Sequence, residues 1–299
     1  MVTAAAHSPA LAGDDLAVRY RRDGYVVLRS PSDGALDAGE VAAARAETTA
    51  ICRGERGRFD GLPEGAAWAA GTAADILRSV LCLHFPHKLS PLMAGLARHP
   101  GVVGVLTRVI GPNVKLMQSM LFVKAEGRPG QAWHQDEAHI PTRDRSLTAA
   151  WVALDDATVE NGCLWVIPGS HRQGVLFPTR VQEDPRFDCT DEAHGFGFAP
   201  SAAVPVEVPA GAVVVFDGYL LHRSLPNTGR HGMRRALVNH YMSAESLLPW
   251  FAPAPGEPMA LADHRDVLLV AGRDPYAWAG TADLMRPHLR PTGAGGCLR

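Results

Sequence analysis

From residue 115 onward the chain consists of short β-type runs divided by turn residues, at 116–124, 133–136, 148–154, 163–167, 204–208, 212–216 and 236–242. Runs of this length and spacing cannot bury their own apolar faces, so they must be stacked into a sandwich or closed into a barrel. Asn161-Gly162, between two of the runs, is the dipeptide that type I′ hairpin turns prefer, and Pro168-Gly169 is a type II turn signature. Residues 177–203 break the pattern with Pro, Asp, Phe and Gly. A connection that long in a compact domain predicts a lid or a binding insert.

Upstream the texture is helical. The reading predicts helices over 14–23, 36–51, 73–83, 89–97 and 102–110, the last ended by Gly111-Pro112, with one strand-type run at 25–28. Asp37 and Glu40 place negative charge where the dipole of the second helix favours it. Residues 1–13 are small, Ala-rich and aperiodic, and are expected to be disordered. The tail, 252–299, opens Pro-rich, holds a helix near 260–270 and finishes in a Pro/Gly-rich end. The expected organisation is a single domain over 14–299, with a helical first third (14–111), a β core (115–242), the 177–203 insert and the tail.

A chain of 299 residues can bury roughly 75% of its unfolded surface, so its core needs no staples. The net charge of −2 carries no polyanion signal, so nucleic acid is not expected as a partner. Five cysteines without a C-x-x-C indicate neither a disulfide framework nor a zinc ribbon. With no basic leader and no run of ~20 apolar residues, a cytoplasmic protein without membrane insertion is expected. Oligomeric state has no signature here.

His134-Gln135-Asp136 sits on a predicted strand, where alternate side chains share a face, so His134 and Asp136 can grip one ion while Gln135 points away. A second imidazole, His222, follows from a distant strand. Two imidazoles and a carboxylate with three positions left open are what non-haem iron(II) requires. With 13 histidines and 31 acidic residues, an isolated H-x-D arises readily by chance. Its company gives it weight.

That company is Trp133-His134-Gln135-Asp136, Glu160-Asn161-Gly162-Cys163-Leu164, Ile167-Pro168-Gly169-Ser170-His171, and His222-Arg223-Ser224 followed by Arg234-Arg235-Ala236. In this order the motifs resemble the phytanoyl-CoA dioxygenase family of iron(II)- and 2-oxoglutarate-dependent oxygenases, over about residues 14–251. The resemblance implies a mainly β protein with flanking helices, its core a double-stranded β-helix (jelly-roll, cupin-like) and its N-terminal helices packed outside. It implies His134, Asp136 and His222 as metal ligands and Arg234 as the anchor of the distal 2-oxoglutarate carboxylate, a task suited to a guanidinium. Arg235 is the rival, disfavoured because it falls on the opposite strand face. Ser224 resembles the hydroxyl that helps hold the co-substrate, and Trp151 the aromatic beside it, though Trp151 reads equally well as core.

Gln118 and Lys124 share a face of the preceding run and are further co-substrate or substrate candidates; the plain alternatives are a satisfied core amide and a solvated strand-end lysine. His139 is a candidate pocket-lining residue, while His171, His231 and His240 lie outside the ligand positions of the motifs. The implied activity consumes iron(II), 2-oxoglutarate and dioxygen, releases succinate and carbon dioxide, and hydroxylates an unactivated C–H bond of a natural-product or lipid-like small molecule, as in secondary metabolism. Asp136 argues against halogenation, for which related enzymes substitute a small residue. The competing readings are a metal-dependent hydrolase or cupin-type enzyme that uses no 2-oxoglutarate, and a non-catalytic β-helix ligand sensor.

Overall fold

The computed structural model describes residues 13–62, 68, 70–188, 191–248 and 263–290. The helices of the first third include α1 (Gly13–Asp23), α2 (Ala38–Cys52), α3 (Ala73–Ser79), α4 (Pro91–Leu96) and α5 (Pro100–Val109). Their starts are locally encoded. Asp37 and Glu40 form a reciprocal capping box on α2, each side chain accepting from the other's backbone N–H at 2.8 and 2.9 Å. Thr72 and Ser90 cap α3 and α4, and proline occupies the first turn of α4 and α5.

The strands are β1 (Tyr25–Leu28), β2 (Cys82–His84), β3 (Val114–Lys124), β4 (Gln131–His134), β5 (Thr148–Ala153), β6 (Leu164–Val166) and β7 (Thr179–Val181). They continue with β8 (Asp191–Ala193), β9 (Val204–Val206), β10 (Val213–Asp217), β11 (His222–Ser224), β12 (Arg234–Ser243), β13 (Leu268–Ala271) and β14 (His288–Leu289). An eight-stranded antiparallel sheet runs β1-β10-β5-β12-β3-β2-β14, with β13 also on β3, and faces a four-stranded sheet of order β4-β11-β6-β9. Two facing antiparallel sheets joined by long crossings make a jelly-roll, the double-stranded β-helix.

The larger sheet is apolar on both faces. Leu121, Val152, Val215, Leu237 and Tyr241 pack outward against Tyr20, Ile51, Leu96 and Leu106 of the helices. Their neighbours Phe122, Trp151, Val214 and Val238 point inward, toward Leu164 and Val166 of the smaller sheet. Strand alternation therefore sorts residues between a helix-packed layer and an interior that holds the site. No described helix is long and apolar enough to cross a membrane.

Several expectations are corrected. Residues 82–84 are a strand rather than the end of a helix, because pairing with Phe122, Leu121 and Met120 of β3 outweighs local propensity. Asn161-Gly162 does not make a type I′ hairpin: Gly162 has φ +81°, Asn161 is not among the positive-φ residues, and the flanking strands belong to different sheets. The Asn161 side chain instead accepts from the Thr158 N–H and donates to the Asp156 carbonyl, both at 2.8 Å. In the tail, residues 263–267 are not helical and 268–271 form β13, while 260–262 lie outside the described residues. Helix α1 begins at Gly13, and residues 1–12 also lie outside the described residues. The insert carries the β7–β8 hairpin and seats Phe177, Phe196 and Phe198 against Trp133 or its neighbours on the smaller sheet.

Candidate metal centre

His134 ends β4 and His222 begins β11, and the two are register partners across the smaller sheet. This brings their rings to 4.0 Å between centroids. Asp136 lies just past the strand, as the first residue of a short 3-10 turn (Asp136–Ala138), rather than on the strand as the sequence suggested. It still shares a side with His134 because Gln135 is extended, with φ −126° and ψ 127°. The Gln135 amide points away and is fully used, donating to the carbonyls of Val175 and Tyr219 and accepting from the Phe177 N–H.

Both histidines are held in one tautomer. His134 Nδ1 donates to the Ala132 carbonyl at 2.8 Å and His222 Nδ1 to the Leu220 carbonyl at 2.9 Å, which leaves both Nε2 lone pairs facing inward. Asp136 Oδ1 lies 3.6 Å from His134 Nε2 and 3.5 Å from His222 Nε2, and one ligand atom from each of the three residues falls within 4.8 Å of the others. Burial, and then the neighbouring His222, push the His134 pKa down to about 3, so the ring is neutral, as a ligand must be. For Asp136, burial alone would raise the pKa, but His222 and the hydrogen bond from His240 hold it far below the usual carboxylate range. Two imidazoles and one carboxylate around a common point are the donor set of a 2-His-1-carboxylate iron centre.

The motif turns support this geometry. The Ile167 N–H donates to the Leu221 carbonyl at 3.0 Å and Ser170 Oγ accepts from the Leu221 N–H at 2.9 Å, which fixes the chain entering His222. Gly169, with φ +77° and ψ −1°, and the bond from the Ser170 N–H to the Ile167 carbonyl show the expected type II turn. His171 faces the Arg21 carbonyl, away from the centre.

At the other end of the same cavity, Lys124 and Arg234 are register partners on β3 and β12, and each is only 3% exposed. Lys124 Nζ donates to Ser224 Oγ at 2.9 Å and to the Leu225 carbonyl at 2.8 Å. The Arg234 guanidinium lies 5.3 Å from the Trp151 ring centroid, and its buried Nε has no partner. Among the described residues, no carboxylate lies within ion-pair distance of either side chain. Burial lowers the Arg234 pKa to about 10, and burial together with Arg234 pulls Lys124 well below its ordinary value. Gly162 makes room for Lys124: a Cβ there would overlap the Leu225 carbonyl oxygen and sit 2.9 Å from Lys124 Nζ. Arg235, in contrast, forms a two-pronged pair with Asp155, both bonds at 2.8 Å.

The structure thus brings His134, Asp136, His222, Trp151, Lys124, Ser224 and Arg234 around one cavity. Gln118 does not line it. It pairs with His240 at the end of the inward-facing row, where a β-bulge shifts the register. His139 is also outside the lining, its ring 6.3 Å from that of His134, and His231 pairs with Glu160 at the surface. Sequence reasoning set His240 aside as outside the ligand positions, yet it lines the cavity and donates to Asp136; it missed Asp188, which reaches the cavity from the insert and pairs with Arg290 of the tail at 2.8 Å. His240 was findable: it is six residues beyond Arg234 on one strand, hence on the same face. Asp188 carries no such signal.

The family model for phytanoyl-CoA dioxygenase matches residues 20–236. The chain belongs to the phytanoyl-CoA dioxygenase family. Phytanoyl-CoA dioxygenase 1 of Oryza sativa subsp. japonica is 34% identical over 164 residues, which cover 54% of this chain and 57% of that protein. The chain therefore spans a little over half the length of this curated relative. Among solved structures, the apo non-haem monooxygenase ThoJ superposes with a TM-score of 0.63 at 25% identity, covering 87% of this chain and 85% of that one. The epimerase SnoN, solved with Fe3+, α-ketoglutarate and a nogalamycin compound, gives 0.58 at 26% identity, covering 95% and 96%.

Proposed function

We propose that this family member is an iron(II)- and 2-oxoglutarate-dependent dioxygenase that hydroxylates a C–H bond of a small molecule. His134, Asp136 and His222 would hold the iron. Bound there, iron would supply the coupling of dioxygen-driven decarboxylation of 2-oxoglutarate, to succinate and carbon dioxide, with oxidation of the substrate.

The observation that carries this reading is the pair of buried basic side chains, Lys124 and Arg234, sharing a cavity with the three ligands and, among the described residues, without a carboxylate in ion-pair contact. Burying a cation unpaired costs several kcal/mol, so such a pair persists where an anion completes it. A dicarboxylate that chelates the metal at its keto-acid end and reaches Arg234 with its far carboxylate meets that need. Arg234 would give the carboxylate parallel charge-assisted bonds, Ser224 and Lys124 would add donors beside it, and Trp151 would fix the guanidinium plane. The donor set and its locked tautomers fit the metal, and the cation end fits the co-substrate.

A cupin-type enzyme without 2-oxoglutarate, a hydrolase or a ligand sensor has no use for this second anionic subsite. Hydroxylation is preferred over halogenation because Asp136 occupies the position that halide would need. For the substrate, the cavity offers Leu81, Met120, Phe122 and Pro129 as apolar walls with Arg223 and Asp188 among them, which suits a largely apolar natural-product or lipid-like molecule carrying polar groups.

The test uses the anaerobic protein with iron(II) and 2-oxoglutarate. A weak visible charge-transfer band from a chelated keto acid, followed by succinate formation in air, is the expected result. Absence of both ends the proposal.

A further inference from the structure

Asp136 has two oxygens with different neighbours. Oδ1 faces the Nε2 atoms of His134 and His222, whereas Oδ2 lies 3.1 Å from Nε2 of His240, a 4% exposed residue on the inward face of β12. His240 Nδ1 is buried and has no hydrogen-bond partner among the described residues. The opposite tautomer would set two lone pairs against each other at Oδ2 and leave a buried N–H unsatisfied at Nδ1. The proton therefore belongs on Nε2, and the ring donates to the carboxylate.

We infer that His240 is a positioning residue: by occupying Asp136 Oδ2 it confines metal ligation to Oδ1 and keeps the carboxylate from chelating. The inference rests on the reading of His134, Asp136 and His222 as metal ligands. Its consequence lies in the coordination count. A carboxylate free to turn could bind through both oxygens and take one of the three positions that 2-oxoglutarate and dioxygen need. Register supports the role, because β12 places His240 opposite Gln118 on β3 and Ala149 on β5, deep in the paired sheet rather than on a loop. Groups that orient a ligand in this way change metal affinity or activity by roughly 10- to 100-fold when removed.

The experiment is titration of metal-free protein with Co(II), whose visible spectrum reports coordination number, for the parent, His240→Gln and His240→Leu. Glutamine keeps an N–H donor at similar reach, whereas leucine fills the space without one. Expected results are a Co(II) affinity for His240→Gln within about threefold of the parent with an unchanged spectrum, and for His240→Leu a roughly 10- to 100-fold weaker affinity with an altered spectrum. A His240→Leu protein that matches the parent in both, or a His240→Gln protein as impaired as His240→Leu, overturns the inference. Failure of the parent itself to bind Co(II) would instead remove the metal-centre reading. A second measurement needs no variant: imidazole 15N shifts of the Zn(II)-loaded parent should show His240 protonated at Nε2 and not at Nδ1, and the reverse tautomer refutes the proposal whether or not the leucine variant folds.

Discussion

Arg234 and Arg235 are adjacent on β12 and occupy opposite electrostatic circumstances. Arg235 faces outward and is closed by Asp155 through two 2.8 Å bonds, with Arg45 3.2 Å away on the same carboxylate. Arg234 faces inward, more deeply buried, over the Trp151 ring and, among the described residues, without a carboxylate in ion-pair contact. The contrast runs along the whole strand. Outward residues such as Leu237 and Tyr241 are packed against helices, while inward Arg234 and His240 join the cavity wall. A satisfied charge reads as structure and an unsatisfied buried one as a place for a ligand, so neighbouring residues on one strand separate stability from function.

The largest effect should come from the metal end of the inward face. On the proposed reading, His134→Ala or Asp136→Ala removes one ligand of three, and losing a few kcal/mol of metal binding corresponds to an affinity drop of roughly 1,000-fold. Metal content after dialysis, and succinate formation, should fall together. An alanine variant that retains iron would break the division of the cavity into a metal end and an anion end.

Next is the arginine pair itself. Two charge-assisted bonds worth about 1.5–3 kcal/mol each imply that Arg234→Ala raises the 2-oxoglutarate requirement by at least about 100-fold with iron retained. Arg235→Ala should leave that requirement within about twofold and instead lower stability by roughly 1–2 kcal/mol, since it removes two bonds from a mostly buried Asp155 that keeps Arg45 and a backbone N–H. Co-substrate titration and denaturant melts on the two variants decide it. A larger co-substrate defect in Arg235→Ala reverses the comparison.

This division was partly legible in the sequence. Period-two alternation puts Arg234 on the inward face, because side-chain direction in a strand is a local property; Asp136 keeps the side of His134 although it lies past the strand. Burial of Lys124 was not legible: a strand-end lysine is ordinarily solvated, and only the approach of Gly162 and Leu225 encloses it. Strands β2 and β14 were hidden for a related reason. Cys82–His84 and His288–Leu289 are too short to carry a pattern and become strands by pairing with β3 and with each other. Asp188 and Arg290 meet from segments about a hundred residues apart, a contact that no local rule encodes.

A smaller effect tests the outer layer through pH. His87 Nδ1 lies 2.6 Å from Oγ of Ser119, an outward residue of β3, and burial pushes the His87 pKa down to about 4. The unfolded chain takes up this proton near pH 6.5 and the folded chain only near 4. Stability from this residue is therefore complete above about pH 6.5 and is lost as pH falls through that window, by on the order of 1–2 kcal/mol after allowing for partial exposure. His87→Gln should flatten the stability curve between these values and leave 2-oxoglutarate affinity unchanged. An undiminished slope in the variant would assign the acid sensitivity elsewhere.

The smallest effect is the sharpest test of whether the two faces are independent. Tyr241, fully buried beside His240, donates its hydroxyl to the Ala97 carbonyl at 2.9 Å and so ties β12 to the turn after α4. Tyr241→Phe keeps the ring in place and strands one carbonyl, a cost of about 1 kcal/mol, or a melting point about 2–4 °C lower in a chain of this size. If the outward face is purely structural, iron and 2-oxoglutarate affinities stay within about twofold, because the removed atom points away from the cavity and the backbone at His240 is held by pairing on both sides. A tenfold change in either affinity at so small a cost in stability would mean that helix packing sets the position of His240. The sheet would then transmit strain between its faces, and the separation of stability from function along β12 would fail.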